Sequence, residues 1–212
     1  MMKFMCSDCL EETKASILKN LLRELEGKSK DTLTHCYNVV NYATSFARYI
    51  QCEKEDITKL HYAALLHDIG KIRIPNDILN KSEELTKEEY EIIKKHSYYG
   101  YDIVKYTGIF NEELELILHH HERVDGMGYP HKLNDNNINK LCKILSICDS
   151  FDAMVSERTY KKSMTIKEAV QELMDNVEKQ FDKELVPLFV KFIEEHGLIE
   201  DGNYYIIEDV FY

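Results

Sequence analysis

Residues 32–50 read TLTHCYNVVNYATSFARYI, and with Asp31 in front of them they set the class of fold. Asp31, His35, Val39, Tyr42, Phe46 and Tyr49 recur at three- and four-residue intervals, which predicts a helix from about Thr32 to Ile50. Its inner line is apolar except at the start, where a carboxylate and an imidazole share the stripe. The next segment, Lys54 to Asp68, repeats the arrangement: Ile57, Leu60, Ala64 and Asp68 point inward. Polar, metal-type side chains on the apolar faces of successive helices suggest a site built inside a bundle.

Further helices are expected on both sides. Ile17, Leu18, Leu21, Leu22 and Leu25 make Glu11–Glu26 amphipathic, a short N-terminal helix suited to a cap or a homodimer contact, and the pattern breaks between Gly27 and Lys30. Thr86-Lys87-Glu88-Glu89 and Thr165-Ile166-Lys167-Glu168 are capping boxes. They open helices leading to His96 and to about Lys179. Asn111 is placed to cap a helix from Glu112 to His120 or His121, and further helices are read over Ile138–Met154 and Lys183–Glu195. Between them, 122–137 is a polar loop rich in Asp, Asn and Gly. The last ten residues, Asn203 to Tyr212, are β-prone with no evident partner strand.

Three prolines and eight glycines in 212 residues leave few breaks, which favours a mainly helical single domain over a sandwich or barrel. The net charge of −11 argues against wrapping a long nucleic acid, which needs an excess of Lys and Arg. No apolar run is long enough for a membrane span, and the start turns polar too soon for a secretory signal, so a cytoplasmic protein is expected. Six cysteines then read as reduced thiols. Cys6-Ser7-Asp8-Cys9 has metal spacing but lacks a second pair, and reads as two incidental cysteines.

Two strings carry the chemistry. His67-Asp68-Ile69-Gly70-Lys71 abuts an imidazole and a carboxylate, with an ammonium one turn beyond the imidazole. His120-His121-Glu122-Arg123-Val124-Asp125-Gly126-Met127-Gly128-Tyr129-Pro130 sets two more imidazoles beside a glycine-bearing loop. Any one histidine on a helix is more often structural than a ligand. His35, His67, His96, His120 and His121 gain weight as a set, joined by Asp68 and Asp149. His61, His119, His131 and His196 fall outside that set and read as structural or surface residues.

These strings resemble the HD phosphohydrolase superfamily, through His35…His67-Asp68…Asp149. They resemble its HD-GYP subfamily through His96, His120-His121 and Gly126-Met127-Gly128-Tyr129-Pro130. The resemblance runs from about Asp31 to Phe192. It implies an all-α, compact multi-helix HD-domain bundle over 31–197, with an N-terminal extension over 1–30 and a tail over 198–212. It further implies hydrolysis of a cyclic dinucleotide, cyclic di-GMP first, to pGpG or on to GMP. The cofactors implied are two or three divalent ions, Fe(II) or Mn(II), which suit mixed imidazole and carboxylate ligation.

Carried over residue by residue, the ligands would be His35, His67, Asp68, His96, His120, His121 and Asp149, with Asp68 bridging two ions. Asp31 stands where family members with a third metal have Glu; it serves equally as an N-cap to the following helix. The chemistry implied is in-line attack of metal-held hydroxide on phosphorus, expelling a ribose 3′-oxygen. Lys71, Arg158 and Lys161 would grip phosphate. Tyr129 would either stack on a base or anchor its loop. After Pro130 the chain departs from the family's usual glycines and Ile-Pro-Leu run, which bears on base specificity.

Three other readings stay open. The substrate could be another cyclic dinucleotide, such as a GMP–AMP hybrid. The chain could be a non-catalytic module whose GYP loop docks a diguanylate cyclase. A nucleotide phosphomonoesterase of the wider superfamily is the third, but it would not need His96 or the loop.

Overall fold

The computed structural model describes residues 7–156, 163–200 and 203–206. Ten α-helices are found among the described residues: α1 Ser7–Lys28, α2 Lys30–Tyr49, α3 Lys54–Leu66, α4 Asn76–Leu79, α5 Lys87–Lys94, α6 His96–Thr107, α7 Leu114–His119, α8 Lys140–Val155, α9 Ile166–Asp175 and α10 Leu185–His196. The architecture is the helical bundle expected. A two-stranded antiparallel ribbon, β1 Gly197–Glu200 with β2 Asn203–Ile206, closes the described chain. The tail therefore has a partner strand, formed by the residues just before it.

Helix α2 runs through the middle, packed on α1, α3, α8 and α10. Its inner line behaves as its spacing implies: Val39, Tyr42 and Phe46 are buried. Phe46 meets Phe189 edge to face at 5.1 Å, and Phe189 meets Phe151 at 5.3 Å, an aromatic contact tying α2, α8 and α10. Leu22 and Leu25 of α1 enter the same core, so the segment before residue 31 is packed into the body.

Several helix ends differ from the sequence reading. Ser29, not Asp31, caps α2, accepting the Thr32 amide at 3.1 Å; Asp31 sits in the first turn, where its charge suits the helix dipole. Asn111 does not cap α7. Its side-chain amide donates to Gly108 O at 3.0 Å, and the helix begins three residues later at Leu114. Helix α9 ends at Asp175 rather than near Lys179, because 176–181 turns back and its carbonyls accept from the polar loop: Asp125 N donates to Lys179 O at 2.9 Å. Both capping boxes form as read.

Helix α3 stops at Leu66, and a 3-10 turn over Ile69–Arg73 follows. Gly70 allows this. A Cβ there would lie 1.8 Å from His96 O and 2.5 Å from Gly100 N, so the backbone of α6 occupies the space of a side chain. The contact brings His96 to Asp68. Gly70→Ala should destabilise the fold by about 3 kcal/mol, the upper range for overpacking. Gly100→Ala would meet the Ile117 side chain at 3.2 Å, with Gly70 N at 3.4 Å and the Ile69 side chain at 3.5 Å in ordinary contact, and gains helix propensity. It should change stability by less than about 1 kcal/mol in urea unfolding.

Candidate metal centre

Three helix ends converge on one point. His67 follows α3, His96 opens α6 directly after α5, and His120 follows α7. Each is buried, and each ring Nδ1 lies beside the carbonyl three residues earlier: Ala64 O at 2.8 Å, Ile93 O at 2.7 Å and Ile117 O at 2.8 Å. A carbonyl only accepts, so Nδ1 carries the proton and donates in all three rings. Carbonyls in the last turn of a helix have no partner within it. Here the imidazoles supply one, and each Nε2 is left as a lone pair facing the centre.

His35 of α2 is held differently. Its Nδ1 is 2.5 Å from Asp152 Oδ2 and its Nε2 2.8 Å from Asp149 Oδ1. Asp152 is fully buried and accepts a second bond from Ser156 Oγ at 2.7 Å. The sequence reading gave Asp152 no role. The available signal was its place three residues after Asp149, on the same face of α8.

His35, His67 and Asp149 form one group able to hold a cation; His96, His120 and His121 form another. Asp68 lies between them. Its Oδ2 is 3.5 Å from His67 Nε2 and 3.9 Å from His35 Nε2, while its Oδ1 is 3.4 Å from His96 Nε2. The two oxygens thus face different imidazole groups, the disposition a bridging carboxylate needs. Lys71 reaches Asp68 Oδ2 at 2.5 Å.

Three of the imidazoles, His96, His120 and His121, are held neutral as cation binding needs, and His35 is the exception. Burial, reinforced by neighbouring imidazoles, pushes His96 down to about 4, His121 down to about 3 and His120 well below its ordinary value. For His35, burial pushes down, but Asp149 and Asp152 outweigh it and raise the ring to about 9. Burial would raise Asp68 and Asp149. Lys71 and the imidazoles around Asp68, and above all His35 beside Asp149, hold both carboxyls well below the usual range.

Two observations test whether a divalent ion fits. Among the described residues, His67 Nε2 is the one buried side-chain nitrogen or oxygen without a hydrogen-bond partner. The Nε2 atoms of His96 and His120 face each other at 3.2 Å, and in neutral rings protonated at Nδ1 both present lone pairs. Such a contact is repulsive unless a cation or proton lies between. The donor set fits metal ions of the imidazole–carboxylate class.

The loop after His121 folds over this cluster. A Cβ on Gly128 would lie 2.5 Å from Arg123 N and 2.6 Å from His121 O, so glycine is required where the loop crosses its own stem. The Glu122 carboxylate takes the amides of His131 at 2.6 Å and Leu133 at 2.9 Å. Tyr129, joined to Pro130 by a cis peptide, donates its amide to His121 O at 3.2 Å and lays its ring 4.8 Å from that of His121. It packs as the loop's anchor.

A cleft of about 530 Å³ opens beside the cluster, lined among others by Lys71, Tyr90, Lys94, Arg123, Tyr129 and Gln180. Lys94 and Gln180 escaped the sequence reading because no motif marks them, and Arg123, although inside the His120–Pro130 string, was given no role; 90–94 and 180 reach the cleft only through folding. Exposed Asp31 belongs to none of the four groups able to hold a cation among the described residues, and lines a smaller neighbouring cleft with His35 and Lys71. Arg158, Lys161 and the Cys6–Cys9 pair lie outside the residues whose side chains are described. No helix of the described residues is long and apolar enough to cross a membrane.

Comparison with known proteins gives the family and the fold. The profile of the family described as "HD domain" matches residues 5–185. A cyclic di-GMP phosphodiesterase of Thermotoga maritima is 38% identical over 178 residues, 83% of this chain and 48% of that protein. The 3'3'-cGAMP-specific phosphodiesterase 2 of Vibrio cholerae is 32% identical over 188 residues, 88% of this chain and 36% of the relative. The chain therefore spans less than half the length of either. Among solved structures, Bd1817, a HDG"Y"P protein from Bdellovibrio bacteriovorus, superposes with a TM-score of 0.64 at 19% identity, covering 88% of this chain and 62% of that one, a likeness of fold.

Replacement of Asp152 by Asn keeps the shape around His35 but removes the carboxylate from Nδ1. Metal affinity should fall about 10- to 100-fold, the usual cost of losing such an outer partner, as measured by chelator competition. Helical circular dichroism should stay unchanged.

Proposed function

This chain belongs to the HD domain family, in its HD-GYP branch, and from that premise we propose that it is a metal-dependent phosphodiesterase acting on a cyclic dinucleotide, cyclic di-GMP first. The observation that carries this reading is the placement of Asp68, with one oxygen toward His35 and His67 and the other toward His96. A carboxylate so placed would help hold two ions. The ligands proposed are His35, His67, Asp68, His96, His120, His121 and Asp149, with Fe(II) or Mn(II) as the ions. When bound, such ions activate water and offset charge at phosphorus.

The chain's own groups do the rest. Lys71 is an ammonium at the edge of the cluster, half-buried, and is proposed to hold a phosphate oxygen beside Asp68. Lys94 and Arg123 also line the cleft, each paired with a neighbouring carboxylate, Glu91 and Asp125, which a phosphate would have to displace. Arg158 and Lys161 are proposed to complete the phosphate grip, Arg158 through two-point binding. Tyr129 packs on His121 and closes one wall, with the Lys94 ammonium 5.7 Å from its ring centroid; stacking on a base is its other proposed role. Asp31, one turn before His35, is the proposed third-metal ligand. Met127, 78% exposed at the loop's tip, is where a diguanylate cyclase would dock if the loop serves that purpose.

A hybrid GMP–AMP substrate is the second reading, favoured by the similarity to a 3'3'-cGAMP-specific enzyme and by the altered segment after Pro130.

Protein reconstituted anaerobically with Fe(II) or Mn(II) should convert cyclic di-GMP to pGpG or GMP, resolved by chromatography. Asp68→Ala should abolish turnover, since the bridge is lost. Faster cleavage of the hybrid dinucleotide would transfer the assignment to the second reading; no turnover of either at full metal occupancy would refute the enzyme. Arg158→Ala should raise KM about tenfold, the weight of one charge-assisted contact, with metal content unchanged.

A further inference from the structure

We propose that His119, Glu122 and His131 form a second cation site, separate from the buried centre, that takes one zinc-type divalent ion. His119 ends α7, and His131 directly follows Pro130 on the folded-over loop. His119 Nε2 and His131 Nδ1 meet at 2.8 Å, and a ligand atom of Glu122 lies within 4.8 Å of both. This group neither shares a residue with the buried groups nor faces them. His120, the next residue, turns its Nε2 toward His96, so successive imidazoles serve opposite sides of the chain.

The proton between the two rings marks the ion's place. In a hydrogen bond between neutral imidazoles, one facing nitrogen carries the proton and the other a lone pair. Each ring can shift its proton to the far nitrogen without change of charge. For His131 that nitrogen, Nε2, already lies 2.8 Å from the Tyr98 hydroxyl, which can accept it. A tyrosine hydroxyl on the far nitrogen orients the ring as outer partners of metal-bound histidines do.

Zinc–nitrogen bonds of about 2.0–2.1 Å at a tetrahedral angle separate two nitrogens by about 3.3 Å. The pair must therefore open by about half an ångström from its present contact. His131 is exposed and lies on a loop, so its ring can make that movement. Glu122 is buried and held by the amides of His131 and Leu133, yet each carboxylate oxygen keeps a second lone pair. Two imidazoles and a carboxylate leave the fourth position to water. An ion there would clip the loop that carries Tyr129 to the end of α7.

Zinc(II) alone is the probe. Wild type, His131→Ala, Asp68→Ala and the double variant would be equilibrated with micromolar zinc, desalted and analysed for retained metal. Loss of His131 should remove one equivalent of zinc in both backgrounds, and His119→Gln should repeat the effect. The Asp68→Ala background separates this site from the buried centre, so either can fail without the other. Equal zinc content with and without His131 in both backgrounds would overturn the proposal and leave the three side chains as a hydrogen-bond chain. Circular dichroism of each variant checks that the fold is retained.

Discussion

The site depends on the hydrogen bond from an imidazole Nδ1–H to the carbonyl one turn earlier at a helix end. It recurs at His67, His96 and His120. A helix end has spare acceptors, and a histidine placed there satisfies one of them while its tautomer is chosen. Three independent helices thereby deliver lone pairs to one point. The stability of the helix ends and the chemistry of the centre are consequences of the same bonds.

The cost is concentrated at that point. Asp68, Asp149, an ammonium and five imidazoles share a mostly buried volume, and two imidazole nitrogens face each other with lone pairs. Desolvation alone would neutralise the acids. The neighbouring cations keep them charged, and the aromatic and aliphatic core beneath α2, α8 and α10 keeps the groups from separating. The surrounding loop is shaped by contact rather than by propensity: Gly128 is required by the backbone it crosses, and Glu122 holds the far side of the loop through two amides.

Most of the helices were legible because apolar side chains at helical spacing need only a core, and because capping boxes signal their own geometry. The ends were less so. Ser29 took the cap that was one of two readings of Asp31, and α9 stopped early because its following turn hydrogen-bonds to a loop distant in sequence, Asp125 to Lys179. Such choices are decided by partners distant in sequence. His35, His67, Asp68, His96, His120, His121 and Asp149 are named as ligands through the family resemblance, and folding brings all seven together.

Asp152 could not be singled out. An aspartate three residues after another on a helix is common, and only the approach of α2 gives it His35 as a partner. Lys94, Arg123 and Gln180 meet at one cleft for the same reason, and so do His119 and His131 at the other side of the loop. The sequence by itself determined the helices, the resemblance and the residue types able to bind metal, since these rest on local spacing and intrinsic chemistry. The tertiary structure alone decided which nitrogen of each ring faces the centre, which buried carboxylate backs His35 and which side chains line the cleft. Those are properties of contacts between helices, and no local pattern encodes them.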